Sequence, residues 1–330
     1  MTQRLRNSIR PWWLLFVISG VLITIVYVVL TPWNISHLSS HPLPAQSYNE
    51  ALHLIEIFQE KERQKMNPVC RMQLMTHNKK TERAIILVHG YSSCPQQFHE
   101  LGQRFFDSGY NVLITPLPHH GLADRMTNAH ARLTAEELAA YADQAVDIAR
   151  GLGGKVFMMG LSAGGVTTAW AAQNRNDIDL AVIISPAFGF KKIPAPLTAA
   201  AMNFYTILPD ALEWWDPLLK EKAPPAHSYA LYSRHALVQI LRLGFATLND
   251  ARHHPPAAKK IIMVLNANDI MVNNDETNNM IKVWKADKAN LTTYEFRADL
   301  KLGHDLIDPS QPDQRTEIVY PRLMSLINQR

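Results

Sequence analysis

Ser162 stands at the centre of Gly160-Leu161-Ser162-Ala163-Gly164, after the apolar run KVFMM (155–159) and before an alanine-rich run. A serine hydroxyl is a weak nucleophile alone and becomes reactive beside an oriented base. A sharp reversal from strand into helix would expose its Oγ. Such a turn needs small residues two positions to either side, because its arms approach closely. Gly160 and Gly164 meet that need, and Gly165 adds room. The bland alternative is a phosphate-binding glycine turn at a helix N-terminus. That would favour G-x-G-x-x-G or a G-K-S/T ending, and neither occurs here.

A serine nucleophile of this kind needs an acid and then a histidine, in that chain order. Asp269 follows the apolar run IIMVLNAN, and His304 lies in LKLGHDLID. Asp275 is the alternative acid. Asp305 and Asp308 are too close to His304 in sequence to orient it in this order. Acyl transfer also requires two backbone N–H groups aimed at the developing oxyanion. One is expected from Ala163, the residue after the nucleophile. The other is expected from Tyr91 in the loop VHGYSSCPQQF. His119, His120 and His130 follow no common zinc spacing, and His89 reads as a loop brace. Neither a metal nor an organic cofactor is implied.

These residues must be carried by strand ends. Short apolar runs at 84–89, 111–115, 155–159, 180–184, 261–265 and 291–296 read as strands. Helical patterns lie between them, including one opened by the capping box Thr134-Ala135-Glu136-Glu137. Alternation of this kind predicts right-handed crossovers and a mostly parallel sheet with helices on both faces. It breaks at about 187–259, too long for a connecting loop, which reads as an inserted helical cap. Phe204, Tyr205, Trp214 and Trp215 in that cap are the candidate substrate-binding residues.

The chain has 330 residues and a net charge of +4. It shows no broad basic surface and no nucleic-acid motif. Residues 12–30 (WWLLFVISGVLITIVYVVL) carry no charge and are about long enough to cross a bilayer. Arg4, Arg6 and Arg10 precede them, and Trp12, Trp13 and Trp33 flank them. The expected organisation is a cytoplasmic N-terminus (1–11), a signal anchor (12–32), a linker (33–47) and a domain from 48 to 330. By the positive-inside rule the domain would lie on the extracytoplasmic side. A cleaved secretory signal is the alternative, but no small-x-small site follows the run. In an oxidising compartment the two cysteines, Cys70 and Cys94, are expected to pair. Two unrelated buried thiols are the alternative.

The motifs HGYSSCPQQF, PLPHHG, GLSAGG and GHD, in this order, resemble the α/β-hydrolase superfamily. The resemblance runs from about 84 to 330 and is nearest to the monoacylglycerol lipase, carboxylesterase and serine aminopeptidase-like branch. It implies a serine hydrolase of that fold, with Ser162 as nucleophile, His304 as base and Asp269 as acid. His119-His120-Gly121 departs from the Gly-His-Gly of that branch. The expected partner is a small-molecule ester, a lipid-derived one among the candidates. The rival readings are an amide or peptide substrate and a catalytically silent binding protein.

Overall fold

The computed structural model describes residues 12–36, 38–62, 66–215, 225 and 227–328. The expected cytoplasmic tail, 1–11, lies outside them, as do residues 216–224 and 226 of the expected cap. In chain order the helices and strands are α1 (Trp12–Leu30), α2 (Tyr48–Glu62), β1 (Gln73–Met75), β2 (Thr81–Val88), α3 (His99–Asp107), β3 (Asn111–Thr115), α4 (Ala135–Leu152), β4 (Gly153–Leu161) and α5 (Ala163–Asn174). There follow β5 (Leu180–Ile184), α6 (Thr198–Ile207), β6 (Leu212–Trp214), β7 (Leu231–Ser233), α7 (Arg234–Ala251), β8 (Ile261–Asn266), α8 (Asn274–Ala286), β9 (Leu291–Phe296) and α9 (Thr316–Asn328).

Seven strands form the main sheet in the order β1-β3-β2-β4-β5-β8-β9. Every pairing is parallel except that of the short edge strand β1, which the sequence pattern did not reveal. Successive side chains in a strand face opposite ways. Ala84, Ile86 and Val88 of β2 therefore join one apolar layer with α4, α5 and α7, while Ile85 and Leu87 join another with α3 and α9. This is the α/β-hydrolase fold, with a parallel sheet buried on both faces. The capping box at α4 forms as expected, with Thr134 and Glu137 satisfying each other's backbone amides.

The cap is shorter than the sequence suggested. Its second half is α7, whose Ile240, Leu243 and Ala246 are buried in the same layer as α5. A helix that fills the main core belongs to the sheet's own shell. Among the described residues, the insertion comprises α6 and the paired strands β6 and β7.

Among the described residues, α1 alone is long and apolar enough to cross a membrane, and none of its side chains is buried. The last carbonyls of a helix lack partners within it. Here Val28 O receives Trp33 Nε1 at 2.9 Å, and Val29 O receives the Asn203 amide of α6 at 2.9 Å. Asn203 also donates to Thr31 O and accepts from Trp33 N.

The segment 33–47 is not a free spacer. Leu38 and Ala45 are buried, and the chain between them is held by two carboxylates of α4. Asp143 accepts from Ser40 Oγ and His41 N, and Asp147 accepts from Leu43 N. Both acids pair with Arg175, whose fully buried guanidinium also pairs with Asp177. Removing one partner of a buried charge cluster leaves the others uncompensated. Arg175→Met is therefore expected to cost about 3–5 kcal/mol, read as a lowered urea midpoint of the full chain in detergent. A loss under about 1 kcal/mol, as for exposed pairs, would contradict this account.

Candidate active site

Ser162 lies between β4 and α5 at φ 58° and ψ −114°. For a non-glycine residue this is strained backbone, and such strain persists only where the surroundings over-determine it. Three hydrogen bonds do so. Ser162 N donates to Ile184 O, and Ser162 O accepts from Val166 N and Ala187 N, at 3.0 to 3.2 Å. The flanking glycines are required by close backbone approach. A Cβ on Gly160 would collide with Gly164 O, and one on Gly164 would collide with Val88 O. Strand and helix can meet this closely only without those side chains.

His304 and Asp269 meet beside this turn. His304 Nδ1 lies 2.8 Å from Asp269 Oδ2. Asp269 is buried, and its Oδ1 accepts from Met271 N and Val272 N. Burial pushes the Asp269 carboxyl up, but His304 and the two amides bring it below its ordinary value. Burial likewise disfavours charge on His304, yet the facing Asp269 carboxylate raises it above its ordinary value. Asp275 is exposed in the first turn of α8, and it makes no such contact. The loop carrying His304 is fastened to the end of β8. Asn266 Nδ2 donates to Leu302 O and Gly303 O.

Tyr91 and Ala163 also lie here. Ala163 opens α5, where an N–H has no carbonyl a turn before it. Gly90 and Tyr91 line the same cavity of about 850 Å³ as Ser162 and His304. The Tyr91 side chain has a second task, invisible in the sequence. Its buried hydroxyl accepts from Ser233 N, and Tyr229 N donates to Ser92 O, so the cap is stitched to this loop. The role of Gln97 is likewise invisible in the sequence. Its Oε1 accepts from Gly90 N at 2.8 Å and its Nε2 donates to Asp305 at 2.7 Å. It thereby ties the Tyr91 loop to the His304 loop. A glutamine seven residues past a glycine carries no spacing signal that could have found it. Cys70 and Cys94 lie close together beside the same loop, with Cα atoms 5.3 Å apart.

The expected substrate-binding residues divide. Trp215 lines the cavity of Ser162 and also a second one of about 430 Å³, which Tyr205 and Trp214 line as well. The two cavities share Phe190, Trp215, Ile270 and Met271. Phe204 lines neither of them. It is 55% exposed on the outer face of α6, because one helical turn cannot aim Phe204 and Tyr205 the same way.

The family model described as Hydrolase_4, serine aminopeptidase S33, matches residues 79–297. The chain belongs to this family. It is 31% identical over 128 residues to "Phospholipase YtpA" of Bacillus subtilis (strain 168), covering 38% of this chain and 49% of that protein. It is 26% identical over 165 residues to "Thermostable monoacylglycerol lipase" of Bacillus sp. (strain H-257), covering 48% and 60%. The chain thus spans about half the length of the curated relatives it matches. Among solved structures it resembles a Paleococcus ferrophilus monoacylglycerol lipase (TM-score 0.59, 19% identity, 78% of this chain and 97% of that one). It also resembles a soluble variant of the Saccharomyces cerevisiae monoglyceride lipase (TM-score 0.58, 14% identity, 78% and 90%). Identities this low show the fold alone.

The histidines of this S33-family chain have structural surroundings. His89 Nε2 accepts from Leu117 N, and its Nδ1 faces Gly90 O, which makes it a brace. His119, standing where the resemblance expects glycine, takes φ 65° and bonds Glu137 at 2.9 Å. His120 and His130 pack edge-on against the Tyr91 ring. Burial pushes His89 down to about 4, His120 to about 3 and His130 to about 4. In the unfolded chain each titrates near 6.5. Below pH 6.5 the unfolded state therefore binds protons that the native state refuses, and stability falls as pH falls towards 4. Each histidine is expected to add a slope approaching about 1.4 kcal/mol per pH unit in that window. His130→Phe should flatten the measured slope by one proton's worth, and an unchanged slope would sink this attribution.

Proposed function

We propose that this protein is a membrane-anchored serine hydrolase that cleaves carboxylic esters, of the carboxylesterase or monoacylglycerol lipase kind. The observation that carries the reading is the strained Ser162 turn held beside the His304–Asp269 pair, in one cavity with the Tyr91 loop. Ser162 Oγ attacks the ester carbonyl carbon while His304 Nε2 takes its proton. Asp269 accepts from Nδ1–H, holding the ring's tautomer and stabilising the imidazolium. The carbonyl oxygen becomes an oxyanion held by the Tyr91 and Ala163 amides, at the positive end of α5. The C–O bond breaks, and His304 gives its proton to the departing alcohol. Water then gives a proton to His304 and attacks the acyl-enzyme, releasing the acid and restoring Ser162.

The ester preference is supported by the second cavity. Tyr205, Trp214, Leu237, Val238 and Leu241 give it apolar walls suited to an acyl chain. Its carboxylate, Glu213, is already engaged by Tyr232 and Arg234. Anchoring by α1 and the extracytoplasmic placement of the domain complete the proposal, resting on the uncharged span and the arginines before it. A Cys70–Cys94 disulfide in that compartment would hold the Tyr91 loop in place.

A fluorophosphonate probe should label wild-type protein and leave Ser162→Ala unlabelled. That variant should lose on the order of 10⁴–10⁶ in kcat. No labelling of folded wild type would instead favour a silent binding protein, and faster turnover of aminoacyl amides than of p-nitrophenyl esters would favour an amidase. Because His304 must be neutral to accept a proton and is raised above its ordinary value, kcat/KM should rise with pH along a limb centred above about 6.5. Asp269→Asn should shift that limb to lower pH and reduce kcat by roughly 10⁴. A limb that stays in place would remove Asp269 from the role.

A further inference from the structure

The outer face of α6 carries an exposed apolar stripe, in which the Phe204 ring meets the Tyr205 ring edge-on. Leu197 just before the helix, then Ala200, Phe204 and Ile207, recur at the three- and four-residue spacing of one helical face. Leu197, Phe204 and Ile207 are 49%, 55% and 66% exposed. The opposite face is occupied. Met202 packs with Val238 and Leu241 of α7, and Ala201 and Tyr205 line the second cavity.

The position of this stripe is set by Asn203. That side chain is buried, and its amide donates to Val29 O and Thr31 O while its carbonyl accepts from Trp33 N. The end of α1 is thus capped by the neighbour of Phe204. Nineteen helical residues at about 1.5 Å each nearly match the roughly 30 Å hydrocarbon core, so Leu30 falls at its edge. Phe204 follows Asn203 directly, which places it on the order of 10 Å from that edge, and Ile207 about 5 Å further along the helix. Interfacial helices sink about 5–10 Å into the boundary of headgroup and acyl chain. Lys191 and Lys192, exposed on the approach to α6, suit the phosphate layer.

We infer that α6 is a membrane-docking element, its Leu197–Phe204–Ile207 stripe seated in the bilayer that holds α1 and locked there by Asn203. This deepens the proposed function and rests on the anchor reading. It makes α6 the wall between the bilayer and the second cavity, so the ester reaching Ser162 is one resident in the membrane. A second copy of the chain is the other occupant such a stripe could take, but the direct bond between α6 and the end of α1 favours lipid.

The full chain in phosphatidylcholine nanodiscs tests this. An environment-sensitive amino acid is encoded at 21, 103, 204 or 207, and quenching by nitroxide-labelled lipids is read. Position 21 in α1 reports the anchor, and 103 on α3, across the sheet, reports a face away from lipid. Quenching at 21, 204 and 207 with none at 103 is expected. Quenching at 21 with 204 and 207 no more quenched than 103 would overturn docking and leave the anchor standing. Absence of quenching at 21 would overturn both. Asn203→Ala, which removes all three hydrogen bonds of that side chain, should lower turnover of nanodisc-borne monoacylglycerol by at least about fivefold, the loss expected of a single net hydrogen bond. Leu197→Asp with Ile207→Asp should lower it further, with p-nitrophenyl acetate turnover unchanged in both variants. Equal turnover of the membrane substrate by both variants and wild type would overturn the lock and the docking together. Because quenching is read without catalysis, failure of the hydrolase reading remains separate from failure of this one.

Discussion

The crossing of β4, α5 and β2 governs the rest of the molecule. Three backbone segments converge there with no room for a Cβ, since Gly160 faces Gly164 O and Gly164 faces Val88 O. This closeness forces the connection into one residue, Ser162, at positive φ. It also sets Gly90 against Ser162, bringing the loop after β2 to the side of that serine. A strained residue persists only when its surroundings outweigh the strain. Here they are a parallel sheet buried on both faces and three backbone hydrogen bonds to Ser162.

Around that crossing, loops far apart in sequence are joined by short polar links. Gln97 joins the Gly90 amide to Asp305, beside His304. Asn266 holds the carbonyls just before His304. The Tyr91 hydroxyl and Ser92 carbonyl receive amides of the cap. A buried donor or acceptor left without a partner costs about 1–3 kcal/mol, so each link resists displacement of its loop. Rearrangement of one loop would disturb the others, which suits a site that must hold its groups still.

The end of the molecule that carries α1 is organised by the same means. The segment after α1 is drawn along α4 by Asp143 and Asp147, and Arg175 offsets their charge from within the core. Asn203 caps the end of α1 from the other side. Helix, strap and cap are thereby coupled, and the orientation of the Ser162 cavity follows from that of α1.

The sequence by itself determined the elements and the order in which the candidate site residues follow them. Apolar runs of strand length, the capping box at Thr134 and the glycines around Ser162 are local signals, because each depends on residues within a turn or a strand. Asp269 and His304 were legible for a related reason: both lie just past strands, and parallel topology brings such ends to one edge of the sheet. Only the tertiary structure decided the rest. Gln97, Asn203 and Arg175 act across long stretches of chain, where no periodicity announces a partner. The cap showed the same limit. Composition could not separate α7, which fills the core, from α6, which covers the site. Nor could it separate Phe204, facing outward, from Tyr205, facing the cavity. Which way an apolar side chain points is set by what its element packs against, and that is fixed only when the whole chain has folded.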